Sequence, residues 1–178
     1  SAHVVENSGV TTLPSVGSAV SSFTAGGITD VSASTYTIDI TVDEENDAPT
    51  ASNATFATNV VEDDSTPTGV TVATLFSSFS DVTDDKTSFS GSSADTLQGI
   101  FITADGSSTD EGVWQFSTDS GSNWSNVSSV SYTASTPIYL DTTAQLRFRP
   151  AADYNGVVGE LSAHVVENSG VTTLPSVG

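Results

Sequence analysis

Thr35-Tyr36-Thr37-Ile38-Asp39-Ile40-Thr41-Val42 alternates polar and apolar side chains without a break. A period of two belongs to a strand with one buried face, because successive side chains of an extended chain point to opposite sides. Ala144 to Arg149 repeats the pattern, with Leu146 and Phe148 on one face and Arg147 and Arg149 on the other. Shorter runs of similar character are His3 to Glu6, Thr55 to Val61, Val70 to Leu75, Ile100 to Thr103, Val113 to Ser117 and Leu161 to Val166. Asp105-Gly106, Asp119-Ser120-Gly121, Tyr154-Asn155-Gly156 and Asn168-Ser169-Gly170 separate them with residues suited to tight turns. Serine and threonine supply 56 of the 178 residues, which disfavours helix, and only Ala73 to Phe79 could hold a helical turn. Many short strands parted by turn signals predict an all-β fold, an antiparallel β-sandwich.

The chain also repeats itself. Ser1 to Gly17, SAHVVENSGVTTLPSVG, returns unchanged as Ser162 to Gly178, an offset of 161 residues. Self-similarity at a fixed offset marks an array, here read as one full period plus a 17-residue overlap. The period exceeds the roughly 100 residues of a common sandwich domain. An insertion is therefore expected, and Ser15 to Ser34, rich in Gly and Ser, is the candidate.

Charge narrows the partners. Asp and Glu number 22 against 3 Lys and Arg, a formal net charge of −19. Nucleic acid is excluded as a partner, since phosphate binding needs basic patches and only Lys86, Arg147 and Arg149 are available. So many carboxylates repel one another unless cations screen them, so multivalent cations are the natural partners. Without cysteine there is no disulfide, thiol catalysis or thiolate zinc site. No apolar run reaches the length of a membrane span, and no signal peptide is visible at Ser1.

A break falls at Asp43-Glu44-Glu45-Asn46-Asp47-Ala48-Pro49, where a strand gives way to acids and then to a proline that cannot continue a ladder. Glu45-Asn46-Asp47-Ala48-Pro49 resembles the junction between cadherin-like tandem repeats in the extender region of large bacterial RTX-type surface adhesins. Glu62-Asp63-Asp64 with Thr68-Gly69, Trp114 to Asp119 with Asn123-Trp124, and Leu146 to Pro150 with Asp153 to Gly156 resemble further parts of such repeats in the same order. Together they span Glu45 to Gly156. The resemblance implies a cadherin-like or immunoglobulin-like sandwich, secreted by a type I route to the cell surface and rigidified by calcium (Ca2+). As a stalk it would project a distal ligand-binding region for cell adhesion or biofilm formation.

With a unit starting near Ala48, residues 1–47 are the C-terminal part of one repeat, including its last strand and linker. Residues 48–178 are then the body of the next, lacking that strand. The expected partners are neighbouring copies of the repeat, head to tail, with the tail of one molecule completing the body of another. The other reading is a unit that starts at Ser1 and folds alone.

Calcium takes six to eight hard oxygens, usually gathered on loops. The candidate ligands are Glu45 and Asp47 at the junction, Glu62, Asp63 and Asp64 after it, then Asp81, Asp84 and Asp85, with Asp153 beside Asn155 as a weaker group. In the cadherin-like arrangement Glu45 and Asp47 would share ions with Glu62, Asp63 and Asp81. Against this stands the reading of solvated loop acids, since no stretch matches an EF-hand loop or a Gly-rich nonapeptide repeat. Asp105, Asp110, Glu111 and Asp119 read as turn residues, and His3 and His164 as satisfied edge or core histidines. Trp114 and Trp124 read as core packing, with sugar stacking as the alternative. No nucleophile elbow, triad or phosphate loop is present, so an enzyme is not expected. The competing class is a glycan- or cell-binding adhesive module, and a third reading is an accessory domain of a polysaccharide hydrolase.

Overall fold

The computed structural model describes residue 2 and residues 15–19, 24–26 and 31–169. The chain divides into two compact units, Ser1–Asp43 and Glu44–Gly178.

In the first unit Ala2 and Tyr36 form an isolated antiparallel bridge, each N–H donating to the other's carbonyl at 2.5 and 2.7 Å. No ladder extends from it among the described residues, so the strand expected at 35–42 is not part of a sheet. Its apolar face lies open: Ile38, Ile40 and Val42 are 84%, 90% and 86% exposed. Alternation selects a strand only where a partner covers the apolar side, and a lone extended segment is not stable in water. The strand expected at 3–6, with His3, lies outside the described residues.

The second unit is all-β with almost no helix, in two antiparallel sheets. Its strands are β1 (Val70–Thr71), β2 (Leu97–Asp105), β3 (Gly112–Ser117), β4 (Ser125–Asn126), β5 (Ile138–Asp141), β6 (Gln145–Pro150) and β7 (Leu161–Glu167). One sheet runs β1-β6-β3-β4, the other β5-β2-β7. A single helical turn, α1 (Val72–Leu75), follows β1, with the Thr71 hydroxyl accepting from the Thr74 N–H at 3.2 Å. Residues 55–61 form no strand: Phe56 is anchored against the core, while Val61 is 71% exposed with no sheet edge beside it.

The core draws on both sheets. Ile100 and Ile102 of β2 and Leu140 of β5 pack in one cluster with Phe116 of β3 and Leu146 of β6. On β6 the expected two faces appear, Leu146 and Phe148 buried and Arg149 exposed. Arg147 lies over the Trp124 ring at 3.9 Å, and its Nε donates to Gln115 Oε1 at 2.8 Å. Trp114 packs between Phe56 and Phe148 and donates its indole N–H to the Gly159 carbonyl at 2.9 Å. Both tryptophans therefore serve packing. His164 sits exposed on β7, opposite Phe101.

The turn between β3 and β4 is held by one carboxylate. Asp119 accepts from the Asn123 side-chain amide (2.6 Å), the Asn123 N–H (2.8 Å) and the Ser117 hydroxyl (2.8 Å), while Ser120 and Gly121 take positive φ of 59° and 86°. These bonds favour the ionised form and lower the Asp119 pKa from 3.8 to about 2. A depressed folded-state value stabilises the fold above 3.8, and the contribution is lost as pH falls through about 2. Asp119→Ala is therefore expected to lower the melting temperature at neutral pH, with the gap to wild type closing between 3.8 and about 2. Parallel thermal melts across that range check it, and a gap independent of pH would contradict it.

Candidate metal centre

β2 and β7 are antiparallel neighbours with Leu97 opposite Glu167, so the start of one lies beside the end of the other. Asp95 stands two residues before β2, and Glu167 closes β7. Asp81 is carried to the same place by the Thr50–Ser80 bridge, whose two N–H···O bonds are both 2.8 Å. Asp81, Asp95 and Glu167 each offer a carboxylate oxygen, all within 4.8 Å of one another.

Two of the three carboxylates are half satisfied. Asp81 Oδ2 accepts from the Asp95 N–H at 2.7 Å, while its Oδ1 has no partner. Glu167 Oε1 accepts from Asn46 Nδ2 at 2.7 Å and from the Ser169 hydroxyl at 2.9 Å, while Oε2 has none. Asp81 and Glu167 are 4% and 6% exposed, so bulk solvent does not reach those oxygens. A buried carboxylate oxygen without a donor or counter-charge costs several kcal/mol. Burial, then the Glu167, Asp81, Glu44 and Asp84 carboxylates, push the Asp95 pKa up. Every charge acting on Asp95 is thus negative, and the site asks for a cation or a proton.

The donor set fits a hard divalent ion. Oxygens that touch one calcium at about 2.3–2.6 Å lie within about 5 Å of each other, which matches the 4.8 Å grouping. All three donors are carboxylates, with Asn46 and Asp47 adjoining on the incoming chain and no soft ligand among them. The buried Asp84 stands beside them, its Oδ2 accepting from the Asp47 N–H at 3.0 Å and its carbonyl from the Ser92 hydroxyl at 3.2 Å. Ser92 also donates to Glu44 at 2.5 Å, which ties the acidic chain 44–47 to the 81–95 segment.

Of the nine residues expected as ligands, Asp81 alone belongs to this grouping among the described residues. Glu45 and Asp47 are exposed, with only the Asp47 backbone N–H tied in. Asp85 is exposed and accepts from the Thr87 hydroxyl and N–H at 2.6 and 3.0 Å, which hold its carboxyl below the usual range. Glu62 and Asp63 meet a different loop. Glu62 accepts from Asn155 Nδ2 at 3.1 Å, and Asp63 Oδ1 from the Asp153 N–H at 2.9 Å; Asp64 accepts from the Thr66 N–H at 2.9 Å. Sequence reasoning missed Asp95 and Glu167 because each is an isolated acid, one before a strand and one within it. Glu167 falls on an otherwise apolar run, HVVE, and that mismatch was the available signal.

No family model matches the chain, and neither does any curated protein or solved structure.

Proposed function

We propose that this chain is a calcium-stiffened structural repeat, an extender unit of a secreted bacterial surface adhesin, with a cadherin-like β-sandwich body. The observation that carries the reading is the pair of orphaned buried oxygens, Asp81 Oδ1 and Glu167 Oε2, set beside Asp95 near residues 44–47, the first of the second unit. In this reading the protein does no chemistry. Asp81, Asp95 and Glu167 would hold the ion, and the ion supplies the positive charge that the site lacks.

The mechanical consequence follows from electrostatics. Without a cation, Glu44, Asp84, Asp81, Asp95 and Glu167 repel one another, and the acidic strap is held by hydrogen bonds: Asn46 to Glu167, the Asp47 N–H to Asp84, and Ser92 to Glu44. A bound ion turns that repulsion into attraction and fixes the strap to the ends of β2 and β7. Repeats joined through such straps add up to a rod whose stability is a sum over units and interfaces. The partners are neighbouring copies, and the place of action is outside the cell. Small-angle scattering of a polypeptide with two complete units tests this: calcium is expected to lengthen and narrow the distance distribution, and EDTA to reverse it. Profiles that calcium leaves unchanged would overturn the stalk reading.

A further inference from the structure

One long edge of the second unit is open. β7 pairs with β2 and with no other strand among the described residues. Beside it runs a cleft of about 590 Å³ that reaches the core, with Ile100, Ile102, Trp114 and Leu146 on its floor. Leu161, Ala163 and Val165 of β7 face that core, and Ser162 and His164 face solvent. Gly106 N–H donates to the Glu160 carbonyl at 2.9 Å, flanking the Asp105–Leu161 pair. In an antiparallel ladder this makes Leu161 a non-hydrogen-bonded position toward β2. By alternation Leu161, Ala163 and Val165 turn their own N–H and C=O groups to the open edge.

The chain also carries a strand without a sheet, and the repeat says where it goes. Ala2 and Ala163 occupy the same position of the repeated SAHVVEN sequence. Ala2 exchanges both backbone hydrogen bonds with Tyr36. We infer that the open edge of β7 receives residues 36–42 of a second copy of this chain, antiparallel, with Ala163 replacing the donor's own Ala2 as the hydrogen-bonded partner of Tyr36.

Side-chain direction supplies an independent check on that register. Opposite residues of neighbouring strands share a face, so Tyr36 joins Ala163 and Ile38 joins Leu161 on the core side. Ile40 and Val42 follow by alternation, opposite Gly159 and Val157 beyond the start of β7; of the four apolar side chains, Tyr36 and Ile38 reach the cleft. Those four are 50%, 84%, 90% and 86% exposed in the donor. A slip of one residue would send all of them into solvent. One like-charged pair, Asp39 opposite Glu160, opposes the pairing. Antiparallel entry also brings the donor's next residues, Asp43 to Asp47, out at the acceptor end that carries Glu62, Asp63 and Asp153. Each copy donates one strand and accepts one, so association is head to tail and open-ended.

The pairing is independent of the calcium reading and is tested in EDTA. The chain has no cysteine, so single cysteines report one contact each. A mixture of Tyr36→Cys and Ala163→Cys chains is expected to form a disulfide heterodimer about tenfold faster than Tyr36→Cys mixed with Ser162→Cys, whose side chain faces away. The double variant Tyr36→Cys, Ala163→Cys is expected to give a covalent ladder. In sedimentation, wild type should associate with rising concentration. Ile38→Asp with Ile40→Asp should stay monomeric at an unchanged melting temperature, because both residues are exposed in the donor. Equal cross-linking at residue 162, a purely intramolecular 36–163 disulfide, or a wild type monomeric at every concentration would overturn the inference.

Discussion

Calcium added to the metal-free protein is expected to raise its melting temperature by about 5–10 °C. An ion at a hundred times its dissociation constant stabilises the folded state by about 2.7 kcal/mol, and a domain of this size gains about 2–4 °C per kcal/mol. Glu167→Gln and Asp81→Asn should each abolish the increment. In EDTA both variants should melt at or above wild type, since each removes a charge that the metal-free site cannot compensate. That reversal of sign separates a ligand from a merely structural carboxylate. The pH dependence follows from Asp95, whose pKa is raised by burial and then by its acidic neighbours. A raised folded-state value favours the fold below 3.8, and that contribution is lost as pH rises through the raised value. Calcium replaces the proton above that point, so its increment should be full near neutral pH and vanish on acidification. Calorimetric scans with calcium and with EDTA across this range decide the matter. An equal calcium increment in Glu167→Gln would remove Glu167 from the site.

Leu140→Ala is expected to destabilise the second unit by about 3 kcal/mol, within the range for fully buried Leu→Ala changes. Leu140 is 0% exposed and lies on β5 directly opposite Ile100, so its loss leaves a cavity on the core face of the sheet beside Ile100. Tyr139 cannot fill that space, because it lies on the other face of the sheet, its hydroxyl tied to the Gln98 carbonyl at 3.0 Å and its ring packed on Phe101. Val157→Ala, at a residue 91% exposed, is the control and should change stability by less than about 0.5 kcal/mol. Urea denaturation of the two variants beside wild type measures both. A small effect at Leu140 would mean that the sheet edge carries little of the core.

Four strands were legible from their own residues. β2, β3, β6 and β7 each overlap an expected run, because each has one face on the core or a continuous apolar stretch long enough to stand out, whereas of the strand expected at 70–75 only Val70–Thr71 is β1 and Val72–Leu75 turns into α1. β5 was not legible: Ile138, Tyr139 and Leu140 are all buried, so the segment shows no alternation, and it is only four residues long. β4, at two residues, is too short to leave a pattern. Residues 35–42 have the clearest alternation in the chain and still form no ladder. Local pattern states which face a strand would bury; whether a partner is present to bury it is a separate matter.

The metal centre divides in the same way. Clustering along the sequence picks out acids that are neighbours in the chain, and most of those lie exposed on loops. The three carboxylates that meet come from positions 81, 95 and 167, brought together by the Thr50–Ser80 bridge and the β2–β7 pairing. By itself the sequence determined the all-β character, the acidity that calls for cations, and the repetition of residues 1–17, because composition and period are properties of the chain. Only the tertiary structure decided which acids share a site and which strand edge stays open. Both depend on long-range pairing: the β2–β7 ladder and the Thr50–Ser80 bridge bring the three carboxylates together and leave β7 with a single sheet neighbour among the described residues.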